Sequence, residues 1–104
     1  MNETALNKCI EYCRRCADEC RTSALHCNDN PVLQECMVAC NECADACELV
    51  ISEYNTDPDV ISLCADACLA CAEACDRNSN IYCQSCADMC RQCAEACQNV
   101  VHAR

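Results

Sequence analysis

The chain has no glycine, no phenylalanine and no tryptophan, and only two prolines among its 104 residues. Without glycine it cannot build the loop that cradles phosphates in nucleotide-binding motifs, and the glycine-rich turns of small disulfide-stapled domains are missing too. Tyr12, Tyr54 and Tyr82 are too dispersed to make a stacking platform. Basic residues are scarce: 7 Lys and Arg face 17 Asp and Glu, a net charge of −10. That balance argues against nucleic acid or an anionic membrane surface as partner and suits a protein that handles cations. No apolar run approaches the ~20 residues needed to span a bilayer. The opening MNETALNKC carries neither the basic segment nor the apolar stretch of a secretory leader. The expected location is therefore cytoplasmic, where thiols stay reduced.

What the chain has in excess is cysteine, 18 in all. Four copies of the phrase CxxxCxxCxxxC contain sixteen of them: Cys9, Cys13, Cys16, Cys20; Cys36, Cys40, Cys43, Cys47; Cys64, Cys68, Cys71, Cys75; and Cys86, Cys90, Cys93, Cys97. Two copies, CADACLACAEAC and CADMCRQCAEAC, are close enough to suggest internal duplication. Offsets of four, three and four residues mark one stripe of an α-helix. Cys83 lies one step before the last copy, and Cys27 lies seven residues after the first. The other face carries Arg14, Arg15, Asp18, Glu42, Asp45, Asp66, Glu73, Asp88 and Glu95, a solvated surface.

Breaks fall between the copies. Asn30-Pro31 and Asp57-Pro58 each place a capping side chain before a proline at the first helical position, and Asn78-Ser79-Asn80 offers a third cap. Helices are expected over about 3–28, 31–54, 58–77 and 80–102. Short connections make neighbours antiparallel, which predicts a single all-α domain over residues 1–104, an up-down-up-down four-helix bundle with a cysteine-lined core.

Such a bundle stacks the thiols in four expected layers: Cys9, Cys47, Cys64, Cys97; then Cys13, Cys43, Cys68, Cys93; then Cys16, Cys40, Cys71, Cys90; then Cys20, Cys36, Cys75, Cys86. Beyond the first layer the stripe runs into Leu6, Val50 or Ile51, Val60 or Ile61, and Val100 or Val101, an apolar plug. Beyond the fourth it meets Cys27, Cys83, Asn78 and Ser79, with His26, Asn28 and Asp29 nearby and Leu33 as the apolar exception. The second end reads as the mouth.

Regular helical spacing and a reducing compartment argue against a disulfide scaffold, and the cysteine spacings of ferredoxins are absent. A layer of four thiolates would suit tetrahedral zinc, but such sites draw on CxxC at a turn. A continuous row better suits a chain of ions sharing bridging thiolates, and soft thiolates select Cu(I). His26 sits one residue off the stripe and is either a surface histidine or a ligand at the mouth. Met37 is either a thioether donor or packing, Met89 reads as packing, and His102 as solvated. No spacing supports a catalytic triad, and redox catalysis would use one or two activated cysteines rather than 18.

Four CxxxCxxCxxxC helices in a short acidic chain resemble the bacterial copper storage proteins over essentially the whole sequence. The resemblance implies a non-enzymatic bundle that fills its interior with many Cu(I) ions, held by the 18 cysteines, and a homotetramer. It also implies cytosolic storage for the branch without an export signal, and an open end where His and polar side chains admit ions. Here that end has His26, Cys27, Asn28, Asp29 and Cys83, with His26, Met37 and Asp29 as possible extra donors. A copper chaperone or a low-molecular-weight thiol is the expected copper source. The alternatives are a thiol redox buffer or sensor, and zinc or cadmium storage of metallothionein type.

Overall fold

The structure, a computed structural model, describes residues 3–27, 31–53, 57–77 and 80–102. Four helices account for nearly all of it: α1 Glu3–Cys27, α2 Gln34–Glu53, α3 Pro58–Asp76 and α4 Ile81–His102. Their boundaries follow from caps. Asp57 holds an extended backbone before Pro58, and its Oδ1 accepts from the Asp59 amide at 2.9 Å. Asn80 Oδ1 accepts from the Tyr82 amide at 2.8 Å, so α4 begins one residue later than the sequence suggests. Ahead of α2, Pro31–Leu33 forms a 3-10 turn, a common way for a helix to tighten at its N-terminus. Asn30, with Asn28, Asp29, Asn78 and Ser79, lies outside the described residues.

Each helix packs against its two neighbours around a ring, α1 on α2, α2 on α3, α3 on α4, and α4 back on α1. The result is an antiparallel four-helix bundle 42 Å long. Every cysteine is at most 2% exposed. Between stripes, Ala44, Ala65, Ala72, Ala87 and Ala94 are buried, and such small side chains allow close approach of helix to helix. Large aliphatics are few: Ile61, Val50 and Val100 are the biggest fully buried side chains. All three belong to the end read as the plug, and Leu6, Ile51, Val60 and Val101 pack around them half-buried.

Ion pairs cross the outside of the bundle. Arg21 on α1 donates to Asp45 and Glu48 on α2, both at 2.9 Å. Arg77 at the end of α3 meets Glu35 on α2, and Arg91 on α4 meets Asp76 on α3. Exposed pairs of this kind contribute about 0–1 kcal/mol each. They reinforce the neighbour order; burial of the interior face holds the fold.

Candidate metal centre

Two antiparallel helix pairs build the sulfur-lined interior. Between α1 and α4, Cys9 lies 3.3 Å from Cys97, Cys13 3.7 Å from Cys93, Cys16 3.7 Å from Cys90, and Cys20 3.4 Å from Cys86. Between α2 and α3, Cys47 lies 3.7 Å from Cys64, Cys43 3.4 Å from Cys68, Cys40 3.6 Å from Cys71, and Cys36 3.0 Å from Cys75. Within each pair the register is the one the sequence predicts.

Across the pairs it is not. Cys16 faces Cys43 at 3.7 Å and Cys68 at 3.9 Å, Cys13 faces Cys64 at 3.8 Å, and Cys40 faces Cys86 at 3.6 Å. The α2–α3 pair is thus displaced by one cysteine step from the expected flat layers. The shift brings Val50 and Ile61, one step past Cys47 and Cys64, to the level of Cys9 and Cys97, where they close the tube with hydrocarbon. At the other end it brings Cys36 to 3.2 Å from Cys83. With this register Val50 and Ile61 at one end and Cys36 and Cys83 at the other are all at most 2% exposed.

The offset makes the thiols overlap. Cys13, Cys47, Cys64 and Cys93 have their sulfurs within 4.8 Å of one another, as do Cys16, Cys43, Cys47 and Cys68. The series continues through Cys16, Cys20, Cys43, Cys90, then Cys20, Cys71, Cys86, Cys90, then Cys40, Cys71, Cys75, Cys86. Each group shares one or two sulfurs with the next. A metal–thiolate bond of about 2.3 Å separates two sulfurs by roughly 3.8 Å at a tetrahedral centre, 4.0 Å at a trigonal one and 4.6 Å at a linear one. The contacts of 3.0–3.9 Å given above bracket the first, and the 4.8 Å span of each group admits the other two. All 18 cysteines are free thiols, each S···S distance far above the ~2.05 Å of a disulfide.

Protons are unevenly shared along the tube. Burial pushes Cys27 up to about 11, and Cys83 beside it adds to the rise. Burial also raises Cys36. Cys9 is held down to about 4 by thiol donation from Cys13 and then Cys97, and Cys40 to about 4 by Cys20, Cys71 and Cys75.

At the end read as the mouth, Cys27 and Cys83 lie 3.6 Å apart and are fully buried. His26 is exposed and stacks on Tyr82, with ring centroids 3.6 Å apart and planes 8° from parallel. Met37 is half-buried at the α1–α2 groove with Arg21, Ala24, Leu25 and Asn41. Asp29 lies outside the described residues. Sequence reasoning passed over Ser23, the one polar residue buried among those described, at 1% exposure. Its signal is positional: it falls three residues after Cys20 and four before Cys27, on the stripe itself.

A family model described as copper storage protein matches residues 1–102. Among solved structures, a cytosolic copper storage protein from Streptomyces lividans with five coppers is 32% identical, with a TM-score of 0.87 over 94% of this chain and 92% of that one. Copper storage protein 3 from Bacillus subtilis matches in its apo form at 34% identity and TM-score 0.83, over 91% of this chain and 97% of that one. Its Cu(I)-bound form matches at 33% and 0.86, over 93% and 98%. No curated protein sequence matches.

Proposed function

The chain belongs to the copper storage protein family, and from that premise we propose that it is a single-domain cytoplasmic store whose 18 cysteines hold Cu(I) along the bundle axis. The overlapping thiol groups carry this reading. A sulfur common to two groups can bridge two ions, so capacity grows with the number of thiolates rather than with the number of layers. The similar Bacillus subtilis and Streptomyces lividans structures hold copper, and the Streptomyces lividans protein is described as cytosolic. Among the described residues no helix is long and apolar enough to cross a membrane.

Loading is a ligand exchange. A thiol of the bundle loses its proton to solvent and, as thiolate, binds Cu(I) carried by a chaperone or a low-molecular-weight thiol; the donor's sulfur–copper bond breaks, the donor leaves as thiolate, and the ion is handed to the next sulfur. Copper stays monovalent throughout. Acquisition is therefore proton-linked, as for any thiolate site. The role is storage rather than catalysis. A homotetramer fits the resemblance, and Val38 and Leu49 on α2 with Leu63 and Leu69 on α3, all exposed, support it with apolar contact surface. Of the possible extra donors, His26 and Met37 border the mouth and supplement the thiols at most.

Anaerobic titration with Cu(I) tests the proposal. Trigonal ions on bridging thiolates give about two-thirds of an ion per sulfur and linear ones about one, so the 18 thiols, with a few extra ions on non-thiolate donors, are expected to bind about 12 to 20 Cu(I). A plateau at about four or fewer, one ion per tetrahedral site, overturns it.

A further inference from the structure

The sulfur row on α1 is interrupted once. Cys9, Cys13, Cys16 and Cys20 follow the helical stripe, Ser23 takes the next position, and Cys27 resumes it. Seven residues separate Cys20 from Cys27, about 10.5 Å along the axis. No other stripe is broken at that level, because α2 supplies Cys36, α3 Cys75 and α4 Cys83. The interior there is three sulfurs and one oxygen.

Ser23 is fully engaged. The Cys40 thiol donates to Ser23 Oγ at 3.6 Å, and Ser23 donates in turn toward Cys83 Sγ at 4.0 Å. A neutral hydroxyl is a hard donor that keeps its proton, whereas Cu(I) selects soft thiolates. An ion among Cys36, Cys75 and Cys83 thus finds no α1 sulfur at its own level; α1 offers it only Cys27, one step toward the mouth and 3.6 Å from Cys83, and its links inward run through Cys40, 3.9 Å from Cys36 and 3.8 Å from Cys75. Deeper ions are bridged from all four helices, as around Cys16, which has Cys20, Cys43, Cys68 and Cys90 within 3.7–3.9 Å.

We propose that Ser23 divides the store, separating a readily exchanged outer group of Cu(I) ions on Cys27, Cys36, Cys75 and Cys83 from a firmly retained inner chain. The division rests on the storage reading and adds to it a residue that sets how easily copper leaves. Release is associative: a thiolate or chelator sulfur binds the outer ion before the protein sulfur lets go, so an ion with fewer bridges is displaced sooner. Copper remains Cu(I), and each vacated thiolate regains a proton from solvent.

The test is removal of Cu(I) from the fully loaded, anaerobic protein by excess chromophoric chelator. The parent is expected to release a fast fraction of about three to four ions, four outer thiols at two-thirds to one ion each, followed by a slow remainder. Ser23→Cys repairs the row: the fast phase slows about tenfold or merges with the slow one, while capacity rises by no more than about one ion. Ser23→Ala keeps the interruption and is expected to retain the parent's fast fraction. Cys20→Ser, which lengthens the interruption inward and does not depend on fitting a larger atom, enlarges the fast fraction. A single release phase in the parent, or a Ser23→Cys variant with the parent's fast phase, overturns the division. So does loss of that phase in Ser23→Ala or an unenlarged one in Cys20→Ser. The storage reading is judged separately, on the parent's total capacity.

Discussion

Ile61→Ala probes what holds the bundle together before copper arrives. Ile61 has no exposed surface and stands with Val50 and Val100 as the largest side chains of a core otherwise made mostly of cysteine and alanine. Truncating a buried isoleucine costs about 2–5 kcal/mol, the upper part of the range applying where neighbours cannot collapse into the space. Alanine and cysteine have little reach, and the helix backbones are pinned by four stripes, so the upper half of the range is expected. For a domain of about this size that lowers the apo melting temperature by roughly 10 °C or more. Copper changes the outcome, because each ion binding only the folded state adds about 4 kcal/mol at a thousandfold excess over its dissociation constant. Fully loaded Ile61→Ala is therefore expected to melt above the apo parent, with capacity unchanged because the substitution removes no sulfur. Circular dichroism melts of apo and loaded forms, in reductant and without oxygen, give both numbers. An apo shift below about 3 °C, or a loaded variant that still melts below the apo parent, would refute the reasoning.

Replacing Cys27, Cys83 and His26 together by Ala is expected to slow loading from a chromophoric Cu(I) complex in stopped flow while keeping most of the capacity; a parent-like rate would place the mouth at the other end. Cys9→Ala with Cys97→Ala, at the plug, should instead trim capacity by about one to two ions at two-thirds to one per sulfur and leave the loading rate alone, as read in the same titration and the same mixing experiment. The apo protein should lose stability on going from about pH 9 to pH 11. Cys27, raised from 9.0 to about 11 in the fold, contributes stability that is complete below its unfolded value and lost as pH climbs through the folded one, and Cys36 is shifted the same way. The lowered thiols Cys9 and Cys40 stay ionised in the fold and finish ionising in the unfolded chain near the lower edge of that window, so they oppose the loss only there; melts that stay flat or rise up to pH 11 would contradict the burial of Cys27.

Much of this architecture could be read from residues alone, for physical reasons. Steps of four and three residues have one geometric solution, and Asp57-Pro58 and Asn80 start α3 and α4 through side-chain caps that the structure shows in place. Short connections make consecutive helices antiparallel, and the expected partners meet between α2 and α3, as Cys36 with Cys75, and between α1 and α4, as Cys9 with Cys97. The offset between pairs was not legible. It depends on how Val50 and Ile61 close one end and Cys36 meets Cys83 at the other, a balance of burial over the whole tube that no local spacing encodes. Ser23 escaped because a count of cysteines passes over the stripe position that lacks one. The contact of His26 with Tyr82 escaped too, since it joins residues 56 apart on helices α1 and α4.

The displacement of one helix pair against the other acts like running bond in masonry, where each joint is spanned by the course above it. Along the inner chain, no cut between the five overlapping groups misses a sulfur common to both sides, since Cys47, Cys16 with Cys43, Cys20 with Cys90, and Cys71 with Cys86 each belong to two consecutive groups. Flat layers would have been cells that fill and empty independently, and titration would show a step for each. Running bond gives a one-dimensional lattice in which an added ion stiffens the bundle to either side of itself. A half-filled protein is then already braced along the filled stretch, and the cell's copper supply can rise or fall by single ions without its container coming apart at a seam.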